Sequence, residues 1–387
     1  MLPEYRIAAG FMPLTDSLLL VVAKERGFAG AEGIDLTLVR ENSWANIRDR
    51  VAVGHFDVAH MLAPMPIAAT LGLTPIAVPM IAPMVLGLGG NAVTVSRSLW
   101  DRMAANGAPP DLRPEPVGKA LARVAESTET RLRFAVVHPH SGHNYELRYW
   151  LAASGIDPDR GVEIVVLPPP LMPDAIEMGA IDGYCVGEPW NSVAVGAGTG
   201  RIATVKELIW SQSPEKILGV SERWAATYPE ALAALLRALY QAAQWCGQPG
   251  NHREAAAILA RGPYLGRSAD LIARALSGQI ATGDDVVRVP DFFVPHAHHA
   301  TLPRPIHALW LYAQMVRWGH VRHVPRHAQL AGATFRPDIY RAAVGSLSGE
   351  LPPETGGDRL AGSAFFDGRG FDAADLAGYI ASQRPYA

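Results

Sequence analysis

Tyr5-Arg6-Ile7-Ala8-Ala9-Gly10-Phe11 reads as a first core strand, and the segments that follow it decide the fold class. Asp16 to Arg26 carries an apolar helical face and is closed by Gly27. Ile34 to Val39 alternates apolar and polar residues, as a half-buried strand does. Ser43 is placed to cap a helix running to about Val53, with Gly54 behind it. Phe56 to Met61 is strand-like, and Pro64 to Leu71 forms a short helix. This βαβαβα order predicts a parallel sheet with helices on both faces.

Further along, Ile76 to Val95 reads as two successive buried strands and marks a first crossing between lobes. Asn106 to Pro116 is rich in Gly and Pro, hence a loop, and Val117 to Ala125 is a helix. The alternation then resumes. Strands are predicted at Leu132–Val137, Val162–Leu167 and Ile181–Val186, and helices at His143–Ala153 and Pro173–Met178. The later chain is mostly helical, with long apolar faces over Ser221–Cys246 and His307–Trp318, and Ser346–Asp358 reads as a surface loop. The expected class is α/β, two Rossmann-like lobes with a ligand cleft between them. Residues 1–92 and 201–387 form lobe I, and residues 93–200 form lobe II.

Composition supports this division. A chain of 387 residues is too long for one ordinary core, and 49% hydrophobic content supplies material for two. The formal net charge of −3, with no basic block, argues against direct nucleic-acid binding. Cys185 and Cys246, outside any CxxC, read as buried free thiols. No Asp, Glu, Lys or Arg occurs from Met61 to Ser96, but five prolines and four glycines interrupt that stretch, so membrane insertion is not expected. The first strand begins at about residue 5 with no signal peptide before it. With Met1 as the natural start, a cytoplasmic protein is expected.

Few motifs carry chemistry. Gly87-Leu88-Gly89-Gly90-Asn91-Ala92 matches GxGxxA, but Val93-Thr94-Val95 follows as strand where a dinucleotide site needs a helix. The glycines are instead expected to let backbone approach a small ligand or the other lobe. The histidines near His296 and His320 lack zinc spacing, and no GxSxG or P-loop occurs. No enzyme activity, cofactor or metal is therefore expected. Polar residues do gather at element ends: Ser43-Trp44, Ser141-Gly142-His143-Asn144 and Gly187-Glu188-Pro189-Trp190. Such positions face the ligand crevice in open α/β sheets, and a helix N-terminus suits a small anion.

At these residues the chain resembles the nitrate- and bicarbonate-binding proteins of ABC transporters and their cytosolic sensor relatives. The resemblance is carried by Gly10-Phe11-Met12-Pro13-Leu14-Thr15-Asp16, Ser43-Trp44, Met61-Leu62-Ala63-Pro64-Met65-Pro66, His143-Asn144-Tyr145-Glu146-Leu147-Arg148-Tyr149-Trp150-Leu151, Gly155-Ile156-Asp157-Pro158 and Pro168-Pro169-Pro170. It continues through Tyr184-Cys185-Val186-Gly187-Glu188-Pro189-Trp190-Asn191, Glu215-Lys216-Ile217-Leu218-Gly219-Val220 and Gln314-Met315-Val316-Arg317-Trp318-Gly319. By this resemblance the fold is of the periplasmic binding protein type II, and ligand contacts fall on Trp44, His143, Gly187 and Lys216. A fifth contact, a Gln in the nitrate proteins, falls near Asn91, whose shorter side chain favours a smaller anion such as nitrite. The bicarbonate branch carries an acid at the position of Lys216 and works with calcium. A lysine there attracts an anion and repels calcium, which implies nitrate or nitrite.

The residue chemistry agrees with that implication. Lys216 offers a cation, His143, Asn91 and the helix amides near Gly142 offer N–H donors, and Trp44 closes the cavity. Burying Lys216 unpaired is costly, so on this reading the anion stabilises the closed form. The sensor relatives imply a cytoplasmic role in which the anion-free protein sequesters an RNA-binding antiterminator. The alternatives are a receptor that feeds an ABC permease and, more remotely, a pyrimidine synthase of thiamine metabolism, whose Cys-rich site has no counterpart here.

Overall fold

The computed structural model describes residues 4–349, 351–352 and 359–383, so the loop expected at 346–358 lies partly outside the described residues. Two five-stranded sheets organise the chain. The first contains β1 (Tyr5–Phe11), β2 (Ile34–Arg40), β3 (Val58–Leu62) and β4 (Met80–Val85). The second contains β5 (Asn91–Ser96), β6 (Leu132–Val136), β7 (Val162–Val166), β8 (Gly183–Gly187) and β9 (Gly200–Val205), and β10 (Lys216–Ser221) returns to the first.

Spatial order in the first sheet is β2-β1-β3-β10-β4. β1 pairs in parallel with β2 and β3, as the alternating opening predicts. β10, arriving from far along the chain, runs antiparallel between β3 and β4. The second sheet runs β9-β5-β8-β6-β7, with β6 parallel to β7 and β8, and β5 antiparallel to β8 and β9. The first crossing is therefore Leu86–Gly90 and the second is the segment 206–215, so Asn91 and Ala92, expected in lobe I, stand in the second sheet. Burial follows sheet position. Every residue of β3, β4 and β10 is buried, whereas edge strand β2 alternates buried Ile34 and Leu36 with exposed Asp35 and Thr37.

Several boundaries differ from expectation for local reasons. Pro79 has no N–H for a ladder, and the strand expected from Ile76 starts at Met80. The loop expected to reach Pro116 ends earlier, because Pro114 and Pro116 occupy the first turn of helix Pro114–Glu126, where missing N–H groups cost nothing. Helix Arg97–Ala105, which the periodicity did not suggest, is capped by Ser96 Oγ accepting from Leu99 N at 3.1 Å.

Two apolar clusters each draw on both lobes. One joins Leu14, Trp44 and Ile47 of the first lobe with Val186 and Trp190 of the second, and the other joins Phe11 and Leu218 with Ile202 and Val205. Helix Pro305–Arg317 packs against both Pro64–Thr70 and Gly142–Ala153, so the later helices bridge the lobes on one flank.

The glycines of the first crossing are needed for backbone approach, though to a different neighbour than expected. Gly87, Gly89 and Gly90 have φ of 130°, 73° and 90°. A Cβ on Gly89 would lie 2.3 Å from Phe292 O, and Gly90 N donates to that same carbonyl at 2.5 Å. The crossing is thus pinned to the segment 292–294 rather than opened toward a ligand. Gly89→Ala is expected to lower unfolding free energy by at least about 2 kcal/mol, through left-handed strain plus a clash with fixed backbone. A urea midpoint unchanged from wild type would contradict this packing.

Candidate functional site

The seam between the sheets holds a chain of buried polar groups contributed by the ends of several elements. Asp16 lies in the turn after β1, His60 within β3, and Trp44 opens helix Trp44–Ala52. Lys216 opens β10 opposite Leu62 of β3, and Glu215 precedes it. From the other lobe, Asn91 begins β5 and is the register partner of Gly187 at the end of β8. His143 is the second residue of helix Gly142–Ala153. Ser141 caps that helix, its Oγ accepting from Asn144 N at 3.0 Å. Ser43 has the extended backbone of a capping residue, but its side chain makes no cap hydrogen bond, contrary to the sequence expectation.

The five expected residues are brought together. Lys216 Nζ lies 2.9 Å from Asp16 Oδ2 and 3.1 Å from Glu215 Oε1, and 5.5 Å from the centre of the Trp44 ring. His143 Nδ1 lies 3.3 Å from that same Glu215 Oε1. A Cβ on Gly187 would stand 3.3 Å from both Asn91 Oδ1 and Asp16 Oδ2, which places Asn91 and Gly187 against Asp16. Trp44, Asn91, His143, Gly187 and Lys216 are all buried.

Five further members were not singled out from the sequence: Asp16, His60, Glu146, Lys206 and Glu215. His60 Nε2 faces Asp16 Oδ1 at 2.9 Å, while its Nδ1 accepts from Met12 N at 3.4 Å. Lys206 Nζ pairs with Glu146 and lies 3.3 Å from Glu215 Oε2. These contacts correct one expectation directly. Lys216 is not an unpaired cation waiting for a ligand; two carboxylates share it. A second correction concerns the helix amides near Gly142. A Cβ on Gly142 would meet Glu215 Oε2 at 2.3 Å, so a carboxylate of the protein itself lies against that helix start.

Charge states follow from burial opposed by neighbours. Burial raises the Asp16 carboxyl, but Lys216 and His60 outweigh it and hold the group below its ordinary range. Burial likewise works against ionised Glu215, and His143, Lys216 and Lys206 reverse it to a lowered value. Lys216 is raised: burial disfavours the ammonium, but Asp16 and Glu215 more than compensate. Burial lowers His143 to about 3 despite Glu215, and lowers His60 despite Asp16, so both rings are neutral at pH 7. The cations facing Glu215 at neutral pH are therefore the two lysines. Glu146 is pushed up to about 7, chiefly by burial.

Around these charges lie polar atoms without a hydrogen-bond partner in the described residues, among them Trp44 Nε1, Thr15 Oγ1, both polar side-chain atoms of Asn91, and both ring nitrogens of His143. Each such group is costly in a seam closed to solvent, about 1–3 kcal/mol. Among the described residues no group of three or more His, Cys, Asp or Glu is arranged to hold a metal ion, and no helix is long and apolar enough to cross a membrane. Backbone contacts close the seam: Thr15 N donates to Glu188 O at 2.8 Å, and Trp190 Nε1 donates to Pro13 O at 3.2 Å.

Lys216→Met is expected to reduce stability by about 3–5 kcal/mol at pH 7, since it strands buried Asp16 and leaves Glu215 with Lys206 as its one lysine partner. In the wild type, lowered Asp16 and Glu215 stabilise the fold above ordinary carboxylate values, and that contribution is lost as pH falls through their lowered values. In the variant the same carboxyls are driven up, so the deficit should shrink below about pH 4. Urea unfolding across pH reads this directly, and a pH-independent deficit would contradict the network.

Residues 2–260 match the model of the NMT1-like family. The chain is 36% identical over 385 residues to the nitrate import ATP-binding protein NrtC of Synechocystis sp., covering 98% of this chain but 55% of that protein. The chain thus spans about half the length of the first curated relatives it matches. It is 32% identical to the nitrate/nitrite binding protein NrtA of Synechococcus elongatus, covering 98% of this chain and 86% of that one. The crystal structure of the periplasmic nitrate-binding protein NrtA from Synechocystis superposes with a TM-score of 0.89 at 28% identity, covering 99% of this chain and 100% of that chain. The two sheets, the seam between them and these matches together establish that the chain belongs to the NMT1-like family, among the NrtA-like solute-binding proteins.

Proposed function

We propose that this protein binds a small oxyanion, nitrate or nitrite, between its lobes. The observation that carries the reading is the set of buried polar atoms gathered around Lys216 without partners. Trp44 Nε1 comes from one lobe, and Asn91 Nδ2 comes from the other, where the unpartnered His143 ring also lies. A planar anion that accepts hydrogen bonds along its edges satisfies donors on both sides at once. Because those donors meet only when the lobes are together, the anion favours the closed arrangement. The names of the relatives support the same ligand class. Trp44 supplies an apolar wall, Lys216 a third ammonium N–H, and Gly187 the room that a side chain would fill.

Within this reading the protein acts as a cytoplasmic nitrate or nitrite sensor. Its anion-free form holds an RNA-binding antiterminator, and anion binding releases it. The support is the resemblance of the motif blocks to sensor relatives. The coupling is reciprocal: the antiterminator must weaken anion binding by the factor by which the anion weakens the complex. The same cleft serves equally a receptor that hands the anion to an ABC permease. Recovery of the native protein from the cytoplasm or the periplasm separates the two roles.

Calorimetric titration with nitrate, nitrite and bicarbonate tests the ligand. Nitrate or nitrite should bind, and Lys216→Glu should abolish that binding by placing a third carboxylate against the anion. Binding of bicarbonate alone, or unchanged nitrate affinity in Lys216→Glu, would contradict the reading.

A further inference from the structure

We infer that this site takes its anion together with one proton, held on His143, with Glu215 as the residue that positions the ring for it. The inference rests on the anion reading above and adds to it a second, co-bound species.

The first ground is charge. Asp16 and Glu215 are carboxylates, Lys206 and Lys216 are ammonium groups, and Glu146 adds a further carboxyl. The two lysines at most balance Asp16 and Glu215, so the seam offers an incoming anion no surplus cation. A monoanion added to this closed environment leaves an uncompensated negative charge unless a proton comes with it.

The second ground is the geometry of His143. Its ring is 0% exposed, and Nδ1 faces Glu215 Oε1 at 3.3 Å. Neither ring nitrogen has a hydrogen-bond partner among the described residues, and a neutral imidazole has a single hydrogen for the two of them. Placed on Nδ1, toward the Glu215 carboxylate, that hydrogen leaves Nε2 a bare lone pair, so one hydrogen cannot serve both a carboxylate and an incoming anion. Nitrate and nitrite also present only lone pairs, so the contact is repulsive until Nε2 carries hydrogen. Protonation from the medium forms one N–H bond, turns Nε2 into a donor, and leaves an imidazolium between Glu215 and the anion.

The other titratable groups of this network each face a partner of their own. His60 Nε2 lies 2.9 Å from Asp16 Oδ1, and its Nδ1 accepts from the Met12 amide. Lys216 pairs with Asp16 and Glu215, and Lys206 pairs with Glu146 and Glu215. Glu146 pairs with Lys206 one turn along the helix from His143. The charges facing His143 are Glu215 and Lys216 from the approach to and start of β10, Asp16 from the turn after β1, and Lys206 from the short helix Lys206–Ile209. Without ligand, burial keeps the ring neutral at pH 7, so the proton site is free to fill when the anion arrives.

Calorimetry of the full chain with sodium nitrate, at one pH in two buffers of unlike ionisation enthalpy, counts the protons. The expected result is close to one proton taken up per anion. Affinity should fall about tenfold per pH unit while the free ring is neutral and the bound ring protonated. His143→Gln keeps an N–H donor and should bind more weakly, with no buffer dependence. On the wild type, the His143 ring nitrogens should move to imidazolium 15N shifts when nitrate is added at constant pH, a readout that needs no variant. Binding heat identical in both buffers, or proton uptake that survives in His143→Gln, overturns the inference while leaving anion binding intact. No binding heat with nitrate or nitrite in any buffer overturns the anion reading and this inference with it.

Discussion

The ammonium of Lys216 lies between Asp16 at 2.9 Å and Glu215 at 3.1 Å, in a seam where none of the three is appreciably exposed. A buried charge of this kind persists only with partners in good geometry. Asp16 stands after β1 and Lys216 opens β10, so this contact requires β10 to insert antiparallel beside β3. It also constrains the second lobe. Glu215 lies against the start of helix Gly142–Ala153 and so fixes where His143 enters. Two strands of one sheet, the connection between lobes and a helix of the other lobe are therefore organised by one shared cation.

On the proposed reading, that arrangement changes the basis of anion recognition. A free lysine would attract an anion by charge alone. A lysine already shared by two carboxylates contributes a remaining N–H and a fixed position, and the attraction must come from several donors acting together. Trp44 Nε1 and Asn91 Nδ2 are such donors, one on each lobe. On that reading selectivity comes through geometry, because only a ligand small enough to fit between the lobes satisfies both donors together. The pairing of Lys216 also means that closure does not rest on the ligand's charge alone, since the ion network already ties the first lobe to Glu215.

The strands and their lobes were legible where periodicity is local. The opening alternation gave β1 to β3 in parallel, and the paired apolar runs before residue 96 gave β4 and β5 on either side of the crossing. The position of β10 inside the first sheet was not legible, because nothing local distinguishes a returning strand from a new one. Of the site, Trp44, Asn91, His143, Gly187 and Lys216 were named through resemblance, and the fold does gather them. Their partners were missed for a physical reason. Asp16 meets Lys216, and Glu146 meets Lys206, across long stretches of chain, so those pairings exist only once the sheets form. Glu215 sits beside Lys216 in sequence, and its acidic side chain next to a buried lysine was the available hint. The glycines at 87–90 were read correctly as sites of close backbone approach, but that approach is to Phe292 and Phe293.

The central claim is that one small oxyanion is held by donors of both lobes around Lys216. Diffraction from crystals grown with nitrate tests it most directly. The expected result is planar density within hydrogen-bond distance of Trp44 Nε1, Asn91 Nδ2 and Lys216 Nζ, with the Lys216–Asp16 pair retained. Nitrate found only on the outer surface, with those donors satisfied by other groups of the protein, would contradict it.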